Sequence, residues 1–351
     1  MKFITKLTLV VTLLLYASVL FSPAKLPQIG LLPFMIAPAL AFNALLFLLL
    51  LFRKDRLFIL PAVVLLIGYK FILITFQWHA SDKDFDGLKV LSYNVKRFNF
   101  EVKQDEFKNL SINSIKWVAD HEADIKCIQE FYTDSRKPKL DAIKQINQNG
   151  TYYHYYEVYA GSLREQSYGQ AIFSRFPIID QGKVFESETT NGAIYADVQT
   201  DQGIVRVYNF HLESMSINPD NFSDIDRIKG SLKDTYKRLI IGLQARASQI
   251  DLLLDHADQS PYPVIMMGDL NDVPYSYTYF RLKSKLENAF ENAGRGFGFS
   301  FNNILVFLRI DNQFYTPDLE VKNFRTHKEV DYSDHFPIYG EYRIKSAEPA
   351  N

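Results

Sequence analysis

Apolar residues are spread very unevenly along this chain. Up to residue 80 they run almost without interruption in three stretches, Ile4–Phe21, Ile29–Phe52 and Leu57–Trp78. Each approaches or exceeds the roughly 20 residues that a helix needs to cross a hydrocarbon core about 30 Å thick. Pro33, Pro38 and Pro61 are compatible with such helices, because neighbouring helices and local adjustments satisfy the freed backbone groups. The pattern predicts about three transmembrane helices in residues 1–80.

Past residue 80 the pattern changes. Residues 81–87 read as a short polar linker. From 88 to 346 the apolar runs shorten and alternate between two periods. Runs of strand character occur at 88–95, 123–131, 151–160, 170–178, 193–200, 204–213, 264–271, 307–315 and 336–344. Helical spacing appears at Asp105–His121, with Phe107, Leu110, Ile115 and Val118 on one side, and again at about Asp234–His256. Strand, helix, strand between 88 and 131 is a crossover unit. Helices interleaved with several hairpins predict an α/β fold built as a mixed-sheet sandwich, followed by a tail at 347–351.

Charge separates the two regions. Seven of the 39 Lys/Arg and one of the 40 Asp/Glu fall within 1–80, which leaves 32 basic against 39 acidic residues, a charge of −7, beyond it. A domain so charged is not built for sequence-blind wrapping of nucleic acid, which draws its affinity from Lys and Arg on phosphates. Lys2 and Lys6 lie at the start of the first apolar stretch, and Arg53, Lys54 and Arg56 fill the link after the second, whereas the link between first and second holds only Lys25. Basic residues favour the cytoplasmic side. Three spans then carry residue 79 onward to the opposite side, periplasmic if the host is bacterial. Cleavage of the first stretch as a signal peptide would leave the same location. Lys70 lies toward the outer end of its span and can snorkel, and Trp78 reads as an interfacial anchor. Cys127 is the single cysteine, so neither an intramolecular disulfide nor a cysteine zinc site can form.

Polar residues recur where the apolar runs of the second region end: Asn94, Glu130, His211, Asp269, Asn271, Asp311, Asp334 and His335. An α/β scaffold gathers functional groups on one rim in this way. Asn94, Glu130 and Asp334 offer the hard oxygen donors that suit Mg²⁺, or Mn²⁺. His211 and His335 can move protons near neutral pH. Asn271 can donate to a phosphoryl oxygen. Taken singly, an Asn or Asp at a strand end is commonly a turn former. His79, His121, His154, His256 and His327 lack comparable surroundings and read as surface or packing residues. Tyr152, Tyr153, Tyr155 and Tyr156 read as strand packing.

The strings LSYNV (91–95), IQEF (128–131), YGQAIFSRFPI (168–178), NFHLE (209–213), GDLND (268–272), RID (309–311) and YSDHFPI (332–338) resemble, in order, the motifs of the endonuclease/exonuclease/phosphatase superfamily. That superfamily includes pancreatic-type DNase, abasic-site endonucleases, neutral sphingomyelinases and inositol-polyphosphate 5-phosphatases. The resemblance implies a four-layer α/β/β/α sandwich of the DNase type and metal-dependent attack of water on a phosphoester. It implies that Asn94 and Glu130 bind the metal, with Asp334 assisting. Asp269 would orient or deprotonate the water, Asn271 would hold the phosphate, and His335, supported by Asp311, would contact the scissile phosphate. His211 would serve as general acid for the leaving oxygen. One departure is Asn312, where the family often has an aromatic residue.

The expected substrate is a phosphoester in nucleic acid or in a phospholipid or sphingolipid head group, and the lipid bilayer is the expected partner of residues 1–80. A non-catalytic binding module is the competing reading; it would be expected to have lost one of these groups, and all are present. The basic residues Arg227, Lys229, Lys233, Lys237, Arg238 and Arg246 follow His211 closely and are expected to reach an anionic substrate or a membrane surface.

Overall fold

In a computed structural model the chain forms two six-stranded sheets stacked face to face with helices outside each. The structure describes residues 2–100, 105–148, 150–185, 191–214, 225–302 and 308–345; for 105–108 and 225–232 it describes the backbone only. The tail at 347–351 and Phe307 of the expected 307–315 strand lie outside the described residues.

The first sheet runs, in spatial order, Leu319–Thr326, Ile338–Ile344, Leu88–Asn94, Ile125–Asp134, Gln166–Ser174, Tyr153–Gly161. The second runs Glu287–Asn288, Asp311–Tyr315, Val264–Asp269, Gly203–His211, Gly192–Thr200, Ile178–Phe185. Each sheet has one parallel pair near its middle: Leu88–Asn94 beside Ile125–Asp134, and Gly203–His211 beside Val264–Asp269. A parallel pair needs a crossover. The helix Asp105–Asp120 supplies the first and the 33-residue helix Ile225–Ala257 the second. These helices cover the outer faces, which gives the expected α/β/β/α layering.

The inner faces meet in an apolar core that includes Val90, Ile125, Cys127, Val205, Val207, Ile265 and Met267. These strands are buried on both faces, which is why they read as continuous apolar runs. Polar residues cross the core near one end. Gln129 Nε2 donates to Asn209 Oδ1 at 2.6 Å, and Asn209 Nδ2 returns to the carbonyls of Ile128 and Ala171. These bonds fix the sheets against each other beside the strand ends.

Several expected boundaries shift. The expected 170–178 strand is two strands, Gln166–Ser174 and Ile178–Phe185, because the Arg175–Pro177 corner turns the chain into the other sheet. Strand 307–315 shortens to Asp311–Tyr315. The Leu319–Thr326 strand, which the pattern did not reveal, lies at a sheet edge with charged side chains along it.

The N-terminal region departs from three uniform spans. Pro27–Phe52 is long and apolar enough to cross a membrane. The first stretch gives the 17-residue helix Lys2–Ser18. The third breaks at Gly68 into two helices bent by 59°. A Cβ on Gly68 would sit 2.2 Å from the Tyr16 hydroxyl, so the break lies where two helices approach closely. Part of this region joins the core of the second sheet: Ile36, Val64, Phe71 and Ile74 cluster with Phe210, Leu253, Met266 and Tyr275.

His121 shows how tightly the other side is packed. Its ring contacts those of Trp117, His327 and Tyr339, and its Nδ1 accepts from Ala123 N–H. Burial, helped by nearby His327 and Lys126, lowers its pKa from 6.5 to about 3. Between these values the unfolded chain binds a proton that the folded chain refuses. Stability from this group is therefore complete above pH 6.5 and is lost as pH falls through that window. The expected outcome is that His121→Phe flattens the acid limb of a denaturation-versus-pH curve relative to wild type. Parallel limbs would show that His121 carries none of it.

Candidate active site

The two parallel ladders run out at the same rim: Asn94 ends its strand there, Glu130 lies one residue past the last ladder partner Gln129 in a strand that continues to Asp134, and His211 and Asp269 end theirs. In the second sheet the placement is a matter of register. His211 is the direct partner of Asp269 in the parallel ladder, and Asp269 is the direct partner of Asp311 in the antiparallel one. Three chemical groups from three strands thus stand level. In the first sheet a bulge between Ile128 and Phe131 interrupts pairing and leaves Glu130 at φ +49°. A left-handed conformation is costly for such a residue, and strain of this kind gathers at functional sites. The turn after Asp269 is also left-handed, at Asn271 with φ +50°, a conformation that Asn tolerates. Gly268 has no alternative there, since a Cβ would lie 1.8 Å from the Phe210 carbonyl oxygen.

The side chains converge on Asp269. Asn94 Nδ2 donates to Asp269 Oδ2 at 3.1 Å and to Glu130 Oε1 at 3.3 Å. His211 Nε2 lies 3.6 Å from Asp269 Oδ2 and 3.9 Å from Glu130 Oε1. His335 Nε2 lies 3.7 Å from Asp269 Oδ2, and its Nδ1 is 2.9 Å from Asp311 Oδ2. Asn271 N–H donates to Asp269 Oδ1, while its amide nitrogen donates to the Leu212 carbonyl. Asp334 stands at the edge, paired with Lys96 Nζ at 2.9 Å. All eight residues singled out from the sequence thus reach one rim, Asn271 and Asp334 at its margins. The five other histidines are held elsewhere; His256, for example, meets the Tyr208 hydroxyl at 2.7 Å.

Burial shapes the electrostatics. It raises the Glu130 carboxyl above the usual range, opposed by His335 and Asn94. It raises Asp269 likewise, with His335 opposing. It lowers His211, with Asp269 opposing. For His335 burial acts downward, but Asp311 and Asp269 more than reverse it and bring the pKa to about 10. Within one cluster of carboxylates the surroundings thus favour protonation of His335 and disfavour it at His211.

Asp269, Asp311 and His335 can each bring one ligand atom within 4.8 Å of the others. His335 Nδ1, however, is already engaged by Asp311, and the carboxylates beside the ring favour its protonated form, which has no lone pair to offer a metal. The oxygen donors expected from the sequence are engaged with the turn that follows Asn94: Asn94 Oδ1 accepts from Lys96 N–H and Asp334 pairs with Lys96 Nζ. Glu130 and Asp269 are buried carboxylates that a divalent cation would relieve.

Some contributors had no signal in the pattern. Lys96, Arg97, Phe98 and Asn99 all have φ between +47° and +53°, a left-handed turn directly after Asn94. Phe98 is buried and Asn99 Nδ2 donates to the Tyr332 carbonyl, which holds the turn and aims Lys96 at Asp334. Asp272 and Arg246 form a fully buried pair at 3.4 Å, and Arg246 Nη1 donates to the Glu213 carbonyl. Arg246 is thus an internal support and not a surface contact. Lys233, Lys237 and Arg238 are exposed, and the side chains of Arg227 and Lys229 lie outside the described residues.

The sequence profile of the Endonuclease/Exonuclease/phosphatase family matches residues 91–335, and the chain belongs to that family. A second profile, a domain of unknown function, matches residues 1–75. No curated protein matches the chain. Among solved structures, an endonuclease/exonuclease/phosphatase from Bacteroides vulgatus superposes with TM-score 0.54 at 16% identity, covering 74% of this chain and 100% of that one. A mannosyl-6-phosphatase from Bacteroides thetaiotaomicron gives 0.51 at 20% identity, covering 73% and 99%. The human Nocturnin catalytic domain, with a bound sulfate anion, gives 0.50 at 16% identity, covering 74% and 94%. At these identities the likeness is one of fold. Members of the family generally hydrolyse phosphoester bonds and generally use divalent metals.

Asp311 and His335 are buried and in contact, so their contributions to stability should not add. In a double-mutant cycle of Asp311→Ala and His335→Ala, the coupling energy by denaturation is expected at about 1–3 kcal/mol. Additivity within about 0.5 kcal/mol would show that the pair is not formed in solution.

Proposed function

We propose that this protein is a metal-dependent phosphoester hydrolase held at a membrane by its N-terminal helices. The observation that carries the reading is the convergence of Asn94, Glu130, His211, Asp269, Asp311 and His335 where the two parallel strand pairs end. In this proposal Asn94 and Glu130, with Asp334, hold Mg²⁺ or Mn²⁺. When bound, the ion supplies Lewis acidity and neutralises charge that develops on the phosphoryl group.

The protein's own groups do the rest. Asp269 faces the centre of the rim and orients the attacking water, taking its proton as the new P–O bond forms. Protonated His335, steadied by Asp311, donates to a phosphoryl oxygen throughout. Asn271 adds an amide donor at the margin. His211 stands neutral at rest and receives a proton from the Asp269 side. It passes that proton to the leaving oxygen as the ester bond breaks. The two imidazoles can divide the work because their surroundings set their protonation apart.

Apolar exposure supports the membrane part. Phe3, Leu14, Leu45, Phe52 and Leu66 are each more than 60% exposed. Exposure of so many large apolar side chains within one region marks a protein or membrane contact. With the basic 53–56 link on the cytoplasmic side and the bent third stretch crossing as one span, the catalytic region lies outside the cytoplasm. A substrate in that setting is a phosphoester of a phospholipid or sphingolipid head group, or a nucleic acid. The −7 charge beyond residue 80 weighs against long DNA.

Full-length protein in detergent, assayed with Mg²⁺ on plasmid DNA, RNA, sphingomyelin, a glycerophospholipid, an inositol phosphate and an aryl phosphodiester, is expected to turn over one class. EDTA is expected to abolish the activity, and Glu130→Ala or His211→Ala to lower it at least about 100-fold. Mg²⁺ is also expected to raise the melting temperature of the wild type and not of Glu130→Ala. A folded protein inactive on the whole panel would favour the binding-module reading.

A further inference from the structure

We propose that the segment Tyr69–His79 is a strut for the catalytic dyad, and that Arg309 is the positioning residue through which it acts. The proposal rests on the hydrolase reading above and concerns how that site is kept in register.

Two routes of contact lead from the end of the last N-terminal helix, Tyr69–Thr75, to His335. The first passes through Arg309. This side chain is 3% exposed, and its Nη2 donates to the Ile74 carbonyl at 3.0 Å. That carbonyl lies in the final turn of the helix, where it has no partner within the helix. Arg309 Nη1 donates to Asn312 Oδ1 at 3.0 Å, and the guanidinium lies 4.4 Å from the centre of the Phe290 ring. Arg309 and Asn312 flank Ile310 and Asp311, so the clamp fixes the backbone that presents Asp311 to His335. Beside it, Thr75 Oγ1 meets the Tyr275 hydroxyl at 2.6 Å, four residues beyond Asn271.

The second route passes through the backbone. Gln77 and Trp78 pair with Gly296 and Arg295, and His79 N–H donates to the Gly294 carbonyl. The chain runs from there to Ser300, whose Oγ accepts from the amides of both Ile310 and Asp311. Ser300 O accepts from Phe336 N–H at 2.7 Å, and Phe301 bridges to His335. Both partners of the dyad are thus tied to one short segment of the N-terminal region.

A buried guanidinium that loses a hydrogen-bond acceptor keeps the desolvation cost without the return. Arg309 has no acidic partner among the described residues, so the Ile74 carbonyl is one of the few acceptors that justify its burial. Lysine could reach one acceptor but could not make both bonds.

The test uses full-length protein in detergent with Mg²⁺ and bis(4-nitrophenyl) phosphate as probe. Arg309→Met is expected to lower kcat about tenfold or more with KM within about twofold, because misplacing a catalytic group affects turnover more than binding. Arg309→Lys is expected to recover part of the loss. Unchanged kcat in a folded Arg309→Met protein would overturn the proposal. Should that variant fail to fold, a protease site placed at the exposed residues Ser81–Asp84 gives a second reading. After cleavage, a strut predicts either co-elution of the fragments with full kcat, or release with the same loss of kcat. Release of a catalytic fragment with undiminished kcat would refute it. An inactive wild type would count against the hydrolase reading, while co-elution still reports on the strut without any substrate.

Discussion

Everything at this rim depends on two parallel strand pairs, one in each sheet, ending at the same level. Parallel pairing places the C-terminal ends of neighbouring strands side by side. Stacking two such pairs doubles the effect, so three strand ends and the bulge at Glu130 meet from two sheets. The ladder partners His211 and Asp269 are set by register, and a slip of one residue would turn every side chain of a strand to the opposite face. The Gln129–Asn209 bond across the core resists sliding of one sheet over the other. Precision at the site is therefore a property of the layers, and loops supply only His335, Asn271 and Asp334.

The arrangement has a cost that the surroundings offset in part. Asp269 and Asp311 are almost fully buried, and like charges so placed oppose ionisation. Protonated His335 is the internal counterion, in contact with both. Glu130 has no comparably close cation among the described residues, and its carboxyl stays raised by burial. A divalent ion on the Glu130 side would balance what His335 balances on the other. The same charge distribution is one that a bound cation would relieve.

Much of this was legible in the sequence because a residue that ends an apolar run stands at a strand end, and strand ends share a rim. Asn94, His211 and Asp269 were found in this way; Glu130 was read as a strand end too, but its strand runs on to Asp134 and a bulge turns it to the rim. What escaped was information that no local pattern holds. Arg246 stands in a basic stretch that looks solvated, yet it is fully buried against Asp272, which lies far from it along the chain. The left-handed turn at Lys96–Asn99 contains no glycine to announce it. The Gly68 break is invisible because the apolar run continues through it, and only the approach of Tyr16 shows why the helix stops.

The boundary near residue 80 illustrates the limit of composition as a guide to energetics. Charge and hydropathy change sharply there, and two separate family profiles stop short of it on either side. Cohesion does not respect that line. Phe71 stands 6.1 Å from the Tyr275 ring and 5.5 Å from the Phe280 ring, and Ile36, Val64 and Ile74 share a cluster with Phe210 and Met266 on the outer face of the second sheet. Apolar burial is proportional to area and indifferent to sequence origin. Removing residues 1–80 would uncover Tyr275 and the Arg309 clamp together, so a cut placed where composition changes would pass through a core. A region that looks like a tether in sequence is, by its contacts, the outermost layer of the catalytic fold.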